Sequence, residues 1–536
     1  MGSKTVKMEE EKDRISALPD SIIHHILSFL PSTKKAIQTS VLSKQWQNHW
    51  THVPVLIFDL SGMRYRSVQD ICRIFKFLDN TLILHDCSKI KKFHIKSFWN
   101  NSIPDSNYNV KLLFAIRKEV EELVLTMYSE NDYKLPNFFF NNASLIKLDL
   151  LSFTLIPNGR VNWERLKDLC LMSCLWSTQA IESILGGTPL LESLEIKYCS
   201  GFDRLAIASK SLKRLVLALL HSGEVLVLEI YCPNLVEFSA SDWWYDFSLS
   251  DREIKNVLSV STSLQLLELI RCKEFKQLVI DSNSLKKLLL VDVDADAIVI
   301  SCPNLKELHL CSLNIKTIEL INMTPSICVT LDFDCYSGMN NENLGRMMLE
   351  QLRHVKELNF GRCFLKTLSA LEMEGVSSPL INSKCLTFDG VENLPGIAYA
   401  LRSSPELEKL VITLRGIECE TPHDFPDLNV SGENYWNSKG DAFDCLVSHV
   451  KIVKIYGLSD NDDLQLKLAL NFVEYLLKNA KVLERMVVIV EDNHGAAFMF
   501  KVPQKLLSFS RSSPYAVVEL LCSKSPEVSK YASHSF

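Results

Sequence analysis

The feature that most constrains this chain is a leucine pattern, L-x-x-L-x-L, recurring through the middle of its 536 residues. It stands at Leu145/Leu148/Leu150, Leu191/Leu194/Ile196, Leu212/Leu215/Leu217, Leu264/Leu267/Leu269, Leu285/Leu288/Leu290 and Leu305/Leu308/Leu310. Looser copies begin at Ile90, Val120, Leu166, Leu235, Cys328, Val355, Ser383 and Leu407. Successive starts fall roughly 20–30 residues apart, a period at which each unit makes one short strand. The leucines of that strand turn inward by alternation, and only stacking on neighbouring units closes a core. A parallel-strand solenoid over residues 60–415 is expected, which also explains how a chain of this length avoids one oversized core.

The spacing of the cysteines supports the same stack. Cys174, Cys199, Cys272 and Cys363 each lie eight residues after the first apolar position of a unit, where the chain must turn inside the stack. A small side chain filling a turn is expected there. Cys170 and Cys174 are the one pair tempting as metal ligands, but no second pair or His-x-x-x-His follows, so no metal is assigned. Half-step segments, Phe202/Leu205/Ile207 and Phe275/Leu278/Ile280, precede the next unit by ten residues. Ten residues hold a strand and a turn but hardly a helix with its loops, so the solenoid is expected to be partly two-sheeted. Helices are expected in the longer units, best at Ser177–Gly186 and at 341–352, with Ser177 and Asn341 as N-caps.

The N-terminus differs in kind. It reads Asp13-Arg14-Ile15-Ser16-Ala17-Leu18-Pro19-Asp20, an apolar stretch ending Phe29-Leu30-Pro31, then Val41-Leu42-Ser43-Lys44-Gln45-Trp46 and Trp50. Leu18-Pro19 opens a helix, where proline is tolerated because the first turn loses no intrahelical N–H. At about 100° per residue, Phe29, Ile22, Ile26, Leu30, Ile23 and Leu27 span roughly 160°, wider than one core contact needs. Such a helix can serve an internal neighbour and an external one. Trp46 and Trp50, four apart, are expected to share a helical face.

This stretch, residues 13–59, resembles the F-box, the three-helix module that docks on the Skp adaptor of SCF-type ubiquitin ligases. The resemblance implies that Leu18, Pro19, Ile22, Ile26, Leu42 and Trp46 belong to the adaptor-binding module, some on its surface and some in its core. Gln45 stands where the family usually carries Arg, implying weaker electrostatic help to docking. The repeats resemble those following the F-box in a large plant family, where they receive the protein to be ubiquitinated. Carried over by position, outward strand residues such as Lys213, Arg214, Lys286, Lys306, His309 and Lys356 are candidates for target contact.

Around 416–440 the apolar period disappears and an irregular loop is expected. Beyond it, His449–Tyr456 alternates as a strand, Asp460–Asp463 caps a helix running through Leu464, Leu468, Phe472 and Leu476, and Glu484–Val490 is another strand. This strand–helix–strand over residues 441–523 resembles the FBD domain of plant F-box proteins. The fold class is therefore α+β: a three-helix F-box, a leucine-rich-repeat solenoid and an FBD cap, with residues 1–12 and 524–536 expected to be disordered.

The charge balance is −6 and the apolar content 47%, with no basic block, which argues against nucleic acid as a partner. No run approaches the ~18 apolar residues of a membrane span, and no signal segment opens the chain. Cytoplasmic or nuclear residence is expected, with all sixteen cysteines reduced. Phosphate-loop, nucleophile-elbow and zincin motifs are lacking, so a non-enzyme without cofactor is expected. His24-His25 falls on the polar side of a short helix, and Asp292/Asp294/Asp296 reads as a solvated strand edge. The resemblance implies a substrate receptor of a ubiquitin ligase, joined to cullin through the adaptor, whose target protein the residues do not name. The alternatives are a non-degradative repeat scaffold or a receptor that needs a small molecule.

Overall fold

A computed structural model describes Ile15 and residues 18–59, 68–96, 105–126, 133–218, 220, 227–242, 249–273, 275–333, 344–377, 379–414, 435–438, 442–459, 463–490 and 496–522. The two expected disordered ends, Asp13 and Arg14, the caps Asn341 and Asp460–Asp462, and most of the expected loop at 416–440 lie outside the described residues. The chain divides into two compact units, residues 1–248 and 249–536.

In the first unit the recurring leucines build a ladder of parallel strands. Val55–Asp59, Lys92–Lys96, Glu122–Thr126, Lys147–Leu151, Asp168–Met172, Ser193–Lys197, Arg214–Ala218 and Glu237–Ser241 pair each with the next in unbroken register. That register stacks Leu56, Phe93, Leu123, Leu148, Leu169, Leu194, Leu215 and Phe238 into one buried column. The second unit repeats the design with Leu266–Ile270, Lys287–Val291, Glu307–Cys311, Cys328–Asp332, Glu357–Phe360, Cys385–Asp389, Lys409–Thr413, Ile452–Leu458, Arg485–Val490 and Val517–Cys522. Each leucine column is the interior face of a period-2 strand, and the opposite positions face outward.

A shared turn ends these strands. Ser152, Ser173, Tyr198, Arg271, Asp292 and Ser312 each follow a strand directly and hold φ between 50° and 63°. Their N–H groups donate to the last residue of the next strand: Met172, Lys197, Ala218, Val291, Cys311 and Asp332, at 2.7–2.9 Å. The left-handed residue reverses the chain while its amide extends the ladder by one rung, so the orphan donor at the turn is satisfied. Cys174, Cys199 and Cys272 sit just inside and are buried, as the turn-filling expectation has it. Their thiols reach nearby carbonyls, as in Cys199 Sγ to Lys197 O at 3.2 Å. Cys363 departs from it: it is exposed in the first turn of the helix Arg362–Met373.

The half-step segments form separate small sheets. Arg204–Ala208 pairs with Val227–Tyr231, and Phe275–Asp281, Asp294–Ser301 and Asn314–Ile321 make a three-stranded ladder. Helices occupy Thr178–Gly186 and Leu344–Gln351, but also Val68–Leu84, Asp105–Arg117, Asp251–Val260, Arg362–Met373 and Leu394–Ser403, which the leucine period did not reveal. Asp251–Val260 carries a full capping box, Ser250 with Glu253. Tyr435–Ser438 is a helical turn inside the stretch expected to be loop, and Trp436 there stacks on Phe472 and Tyr475, with centroids 4.7 and 4.9 Å apart. Beyond it Ile452–Leu458, the helix Asp463–Asn479 and Arg485–Val490 form the expected strand–helix–strand, pairing directly onto Lys409–Thr413 as further rungs.

Candidate functional site

The N-terminal module builds two faces from one short apolar sequence. Pro19 precedes the helix Asp20–Ser28, and its carbonyl accepts from the Ile22 and Ile23 amides at 2.9 and 3.1 Å. A second helix, Thr33–Gln38, starts at Ser32, whose side chain accepts from the Lys35 amide. The third segment, Gln45–His52, is a 3-10 helix. That corrects the expected α-helical face: at three residues per turn Trp46 and His49 align, whereas Trp46 and Trp50 diverge. Ile23, Leu27, Trp46 and Val53 make the buried core, with Leu18, Leu30 and Val55 packed against it.

Trp50 and Ala36 are also buried, but several other apolar side chains of the module point to solvent. Ile22 and Ile26 are 44% and 43% exposed, Ile15 57%, Leu42 67%, Phe29 75% and Val41 85%, with Pro19 exposed beside them. Of the six residues expected in the module, Pro19, Ile22, Ile26 and Leu42 therefore lie on the outer face. Leu18 is half-buried against the core, and Trp46 lies within it. Ile15, Phe29 and Val41 complete the outer face. Phe29 was legible in the helix phase, whereas Val41 gave no periodic signal.

The module is also joined to the ladder. The Thr33 hydroxyl accepts from the Ile57 amide at 2.7 Å, so the outer edge of the first strand, Val55–Asp59, is covered by the second helix. At the same junction the His85 ring meets the Val53 carbonyl at 2.9 Å, and burial pushes its pKa down to about 4. A histidine group lines the module's polar side. His24 lies 3.3 Å from His49 and stacks on His52, and burial followed by these two neighbours lowers its pKa.

On the ladders, outward positions form rows of alternating charge. Lys92 pairs with Glu122 at 2.7 Å and His94 with Glu122 at 3.0 Å. Burial alone would raise Glu122, yet Lys92 and His94 outweigh it and hold its pKa below the usual carboxylate value. Of the candidates for target contact, Lys213 is held by Glu192 at 2.7 Å, Arg214 by Glu195 and Glu237, and Lys286 by Gln265 at 2.9 Å. His309 lies 3.8 Å from Glu307. Lys306 and Lys356 are exposed and form no ion pair among the described residues. Of the three aspartates read as a strand edge, two belong to ordinary surface pairs, Asp292 with Arg271 and Asp296 with Lys316.

The thiols of half-buried Cys170 and buried Cys232 and Cys302 are poor nucleophiles, since desolvation pushes each up to about 11. Among the described residues, no group of three His, Cys, Asp or Glu is placed to hold a metal ion. A polar recess of about 350 Å³ between Asn137–Asn141 and Pro157–Arg160 brings carboxamides and a guanidinium together, a lining that supplies no nucleophile and no base. No helix among the described residues is long and apolar enough to cross a membrane.

These faces agree with known sequence families. Residues 15–58 match the F-box domain, 112–245 the leucine-rich repeats of the FBD-associated F-box protein At5g56370, and 440–488 the FBD domain. The putative F-box/LRR-repeat protein At3g18150 of Arabidopsis thaliana is 30% identical over 513 residues, covering 93% of this chain and 91% of its own length. The chain belongs to the plant F-box/LRR-repeat family. A second Arabidopsis member, F-box/LRR-repeat protein At5g02910, is 31% identical and spans 90% of this chain and 89% of itself. F-box/LRR-repeat protein 25 is 37% identical over 207 residues, 38% of this chain. For this F-box/LRR-repeat chain, then, the two-faced N-terminal module is its F-box, and the ladders carry its repeats and its FBD domain.

Proposed function

We propose that this protein is the substrate-recognition subunit of an SCF-type ubiquitin ligase. Its F-box docks the Skp adaptor, and through it cullin, while the repeats hold a target protein. The observation that supports this reading is the outer face of the F-box. Seven apolar residues are exposed on a module that also buries a core of its own, and a short domain showing this much apolar side chain to solvent fits a protein-binding role. Pro19, Ile22, Ile26 and Leu42 are the adaptor contacts, joined by Ile15, Phe29 and Val41. Leu18 and Trp46 hold the module's shape from within.

Its contribution to ubiquitin transfer is proximity. A target tethered beside the ubiquitin-charged enzyme reaches a high effective concentration without any acid, base or nucleophile from this chain. Target contact falls on the strands' outward positions and the residues leading into them, with Lys306 and Lys356 the candidates outside any ion pair among the described residues and Lys213, Arg214, Lys286 and His309 engaged with their own neighbours. The protein acts in the cytoplasm or nucleus, where the adaptor and cullin are found.

The test separates docking from folding. Ile26→Ala with Leu42→Ala leaves the core of Ile23, Leu27, Trp46 and Val53 untouched, so adaptor capture should fall at least tenfold while circular dichroism and the thermal midpoint hold. Trp46→Ala should instead lower stability by roughly 3–5 kcal/mol and lose capture through unfolding. Undiminished capture by the double variant would remove the assignment.

A further inference from the structure

Outward cations on the first ladder have carboxylate neighbours: Lys92 sits on Glu122, Lys213 on Glu192 and Arg214 on Glu195. One stretch of the second ladder is finished differently. It comprises Glu357–Phe360, Cys385–Asp389, Lys409–Thr413 and Ile452–Leu458, paired in that order. The residues leading into these strands are Lys356, Lys384, Glu408 and Lys451. Their backbones continue the ladder, the Lys384 amide donating to Lys356 O at 2.9 Å, Glu408 to Lys384 O at 3.0 Å and Lys451 to Glu408 O at 2.9 Å. At about 4.8 Å per rung this row runs for about 14 Å. Lys409 opens its strand beside the row, and Lys454 stands on the next strand opposite Val411.

The entry side of these four rungs carries a surplus of positive charge, five lysines against Glu357 and Glu408. Glu408 is already taken by Lys384 at 2.6 Å. That lysine, with a smaller pull from Lys451 and His449, holds the Glu408 carboxyl below its usual value. Lys356, Lys409 and Lys451 form no ion pair among the described residues. Lys454 registers the field: burial, and then the like charges of Lys409 and Arg485, push its pKa down. The aspartates of this ladder lie at the far ends of their strands and are engaged there, Asp332 with the Cys363 amide and Asp389 with the Thr413 hydroxyl.

We propose that this rim, built from Lys356, Lys384, Lys409 and Lys451, docks an acidic polypeptide segment in extended conformation. The inference rests on the receptor reading above for taking that segment to be part of a target. An extended chain rises about 3.3 Å per residue, so roughly four residues cover the row, with alternate side chains on one side. Its carboxylates meet the lysines, and the residues between them pass Glu357 and Glu408. Lysine suits such contacts, because a flexible stem and a compact ammonium reach a carboxylate without demanding one geometry. A nucleic acid fits less well. Its phosphates follow one another without a break and would meet both glutamates, and the chain's charge of −6 opposes it.

The test is fluorescence anisotropy on the full chain, with a labelled twelve-residue peptide alternating glutamate and serine as the probe. A glutamine–serine peptide of the same length and a single strand of twelve thymidines are the comparisons. Wild type should bind the acidic peptide about tenfold or more tightly than either, and less tightly as salt rises. Lys356→Glu, Lys409→Glu and Lys451→Glu together should weaken binding by about tenfold or more, with circular dichroism unchanged. Lys91→Glu, Lys134→Glu and Lys210→Glu, on exposed lysines of the first unit, change the total charge equally and should leave binding intact. Three results overturn the proposal: a wild type that does not bind the peptide, equal loss with both triple variants, or tighter binding of the thymidine strand. Adaptor capture, measured in parallel, keeps the two readings apart. Capture without peptide binding removes this inference alone, and peptide binding without capture removes the docking assignment alone.

Discussion

Ser312 shows how much a single dihedral carries. It holds φ at 50° so that its amide can reach Asp332 O at 2.7 Å, and five other strand ends repeat the arrangement. A β-branched side chain tolerates that conformation poorly, so Ser312→Val should cost about 1–2 kcal/mol in urea unfolding, while Ser312→Gly should not. His85 offers a second test. Its pKa falls from 6.5 to about 4, chiefly through burial, with the Val53 carbonyl opposing. The unfolded chain therefore binds the proton first: stability is full above pH 6.5, falls as pH drops toward 4, and levels below. The loss approaches roughly 3 kcal/mol, and His85→Gln should flatten that part of a urea-midpoint profile against pH. None of this was legible beforehand. A serine after a strand reads the same in either hand, and the His85 ring packs against chain that arrives much later, at Phe114.

Among the elements, the strands were the readable part, because leucines at period 2 have one way to bury themselves and the register follows. The F-box helix was half readable. Ile22, Ile26, Ile23 and Leu27 are equally apolar, and only the arrival of Trp46 decides that Ile23 and Leu27 go inside. The helices after the strands are unequally legible. The Ser250/Glu253 box is itself a helix-start signal, whereas Ala496–Ser508 carries Pro503 in its interior, a residue that argues against a helix. Helices Arg362–Met373 and Leu394–Ser403 pack through Gly396, whose amide donates to Ser369 Oγ at 2.8 Å. A Cβ on Gly396 would meet Leu365 O at 2.1 Å, a backbone atom that cannot step aside. Gly396→Ala should therefore destabilise by about 1–3 kcal/mol, measured by thermal or urea unfolding.

At the scale of the whole molecule, the order of parts along the chain matters as much as their identity. The domain sequence was readable because each part carries its own pattern: a compact apolar head, a period of 20–30 residues, then a strand–helix–strand. No target-binding surface was readable in the repeats, since outward positions of both signs are largely engaged with one another, as Lys213 is with Glu192. Repeat arrays gain stability mainly from each rung's nearest neighbours, so whatever steadies the first rung is felt by the next.

The Thr33 hydroxyl on the Ile57 amide, with Val55 packed against the F-box core, makes the first rung partly a possession of the head. Binding that selects the folded head must then restrain this rung as well. Amide exchange at Leu56–Asp59 should slow when the adaptor is added, and Thr33→Val should uncouple that slowing while leaving capture intact. On the proposed function, an empty receptor would then be looser at its base than an assembled one, and recruitment into the ligase would itself tune the surface offered to a target.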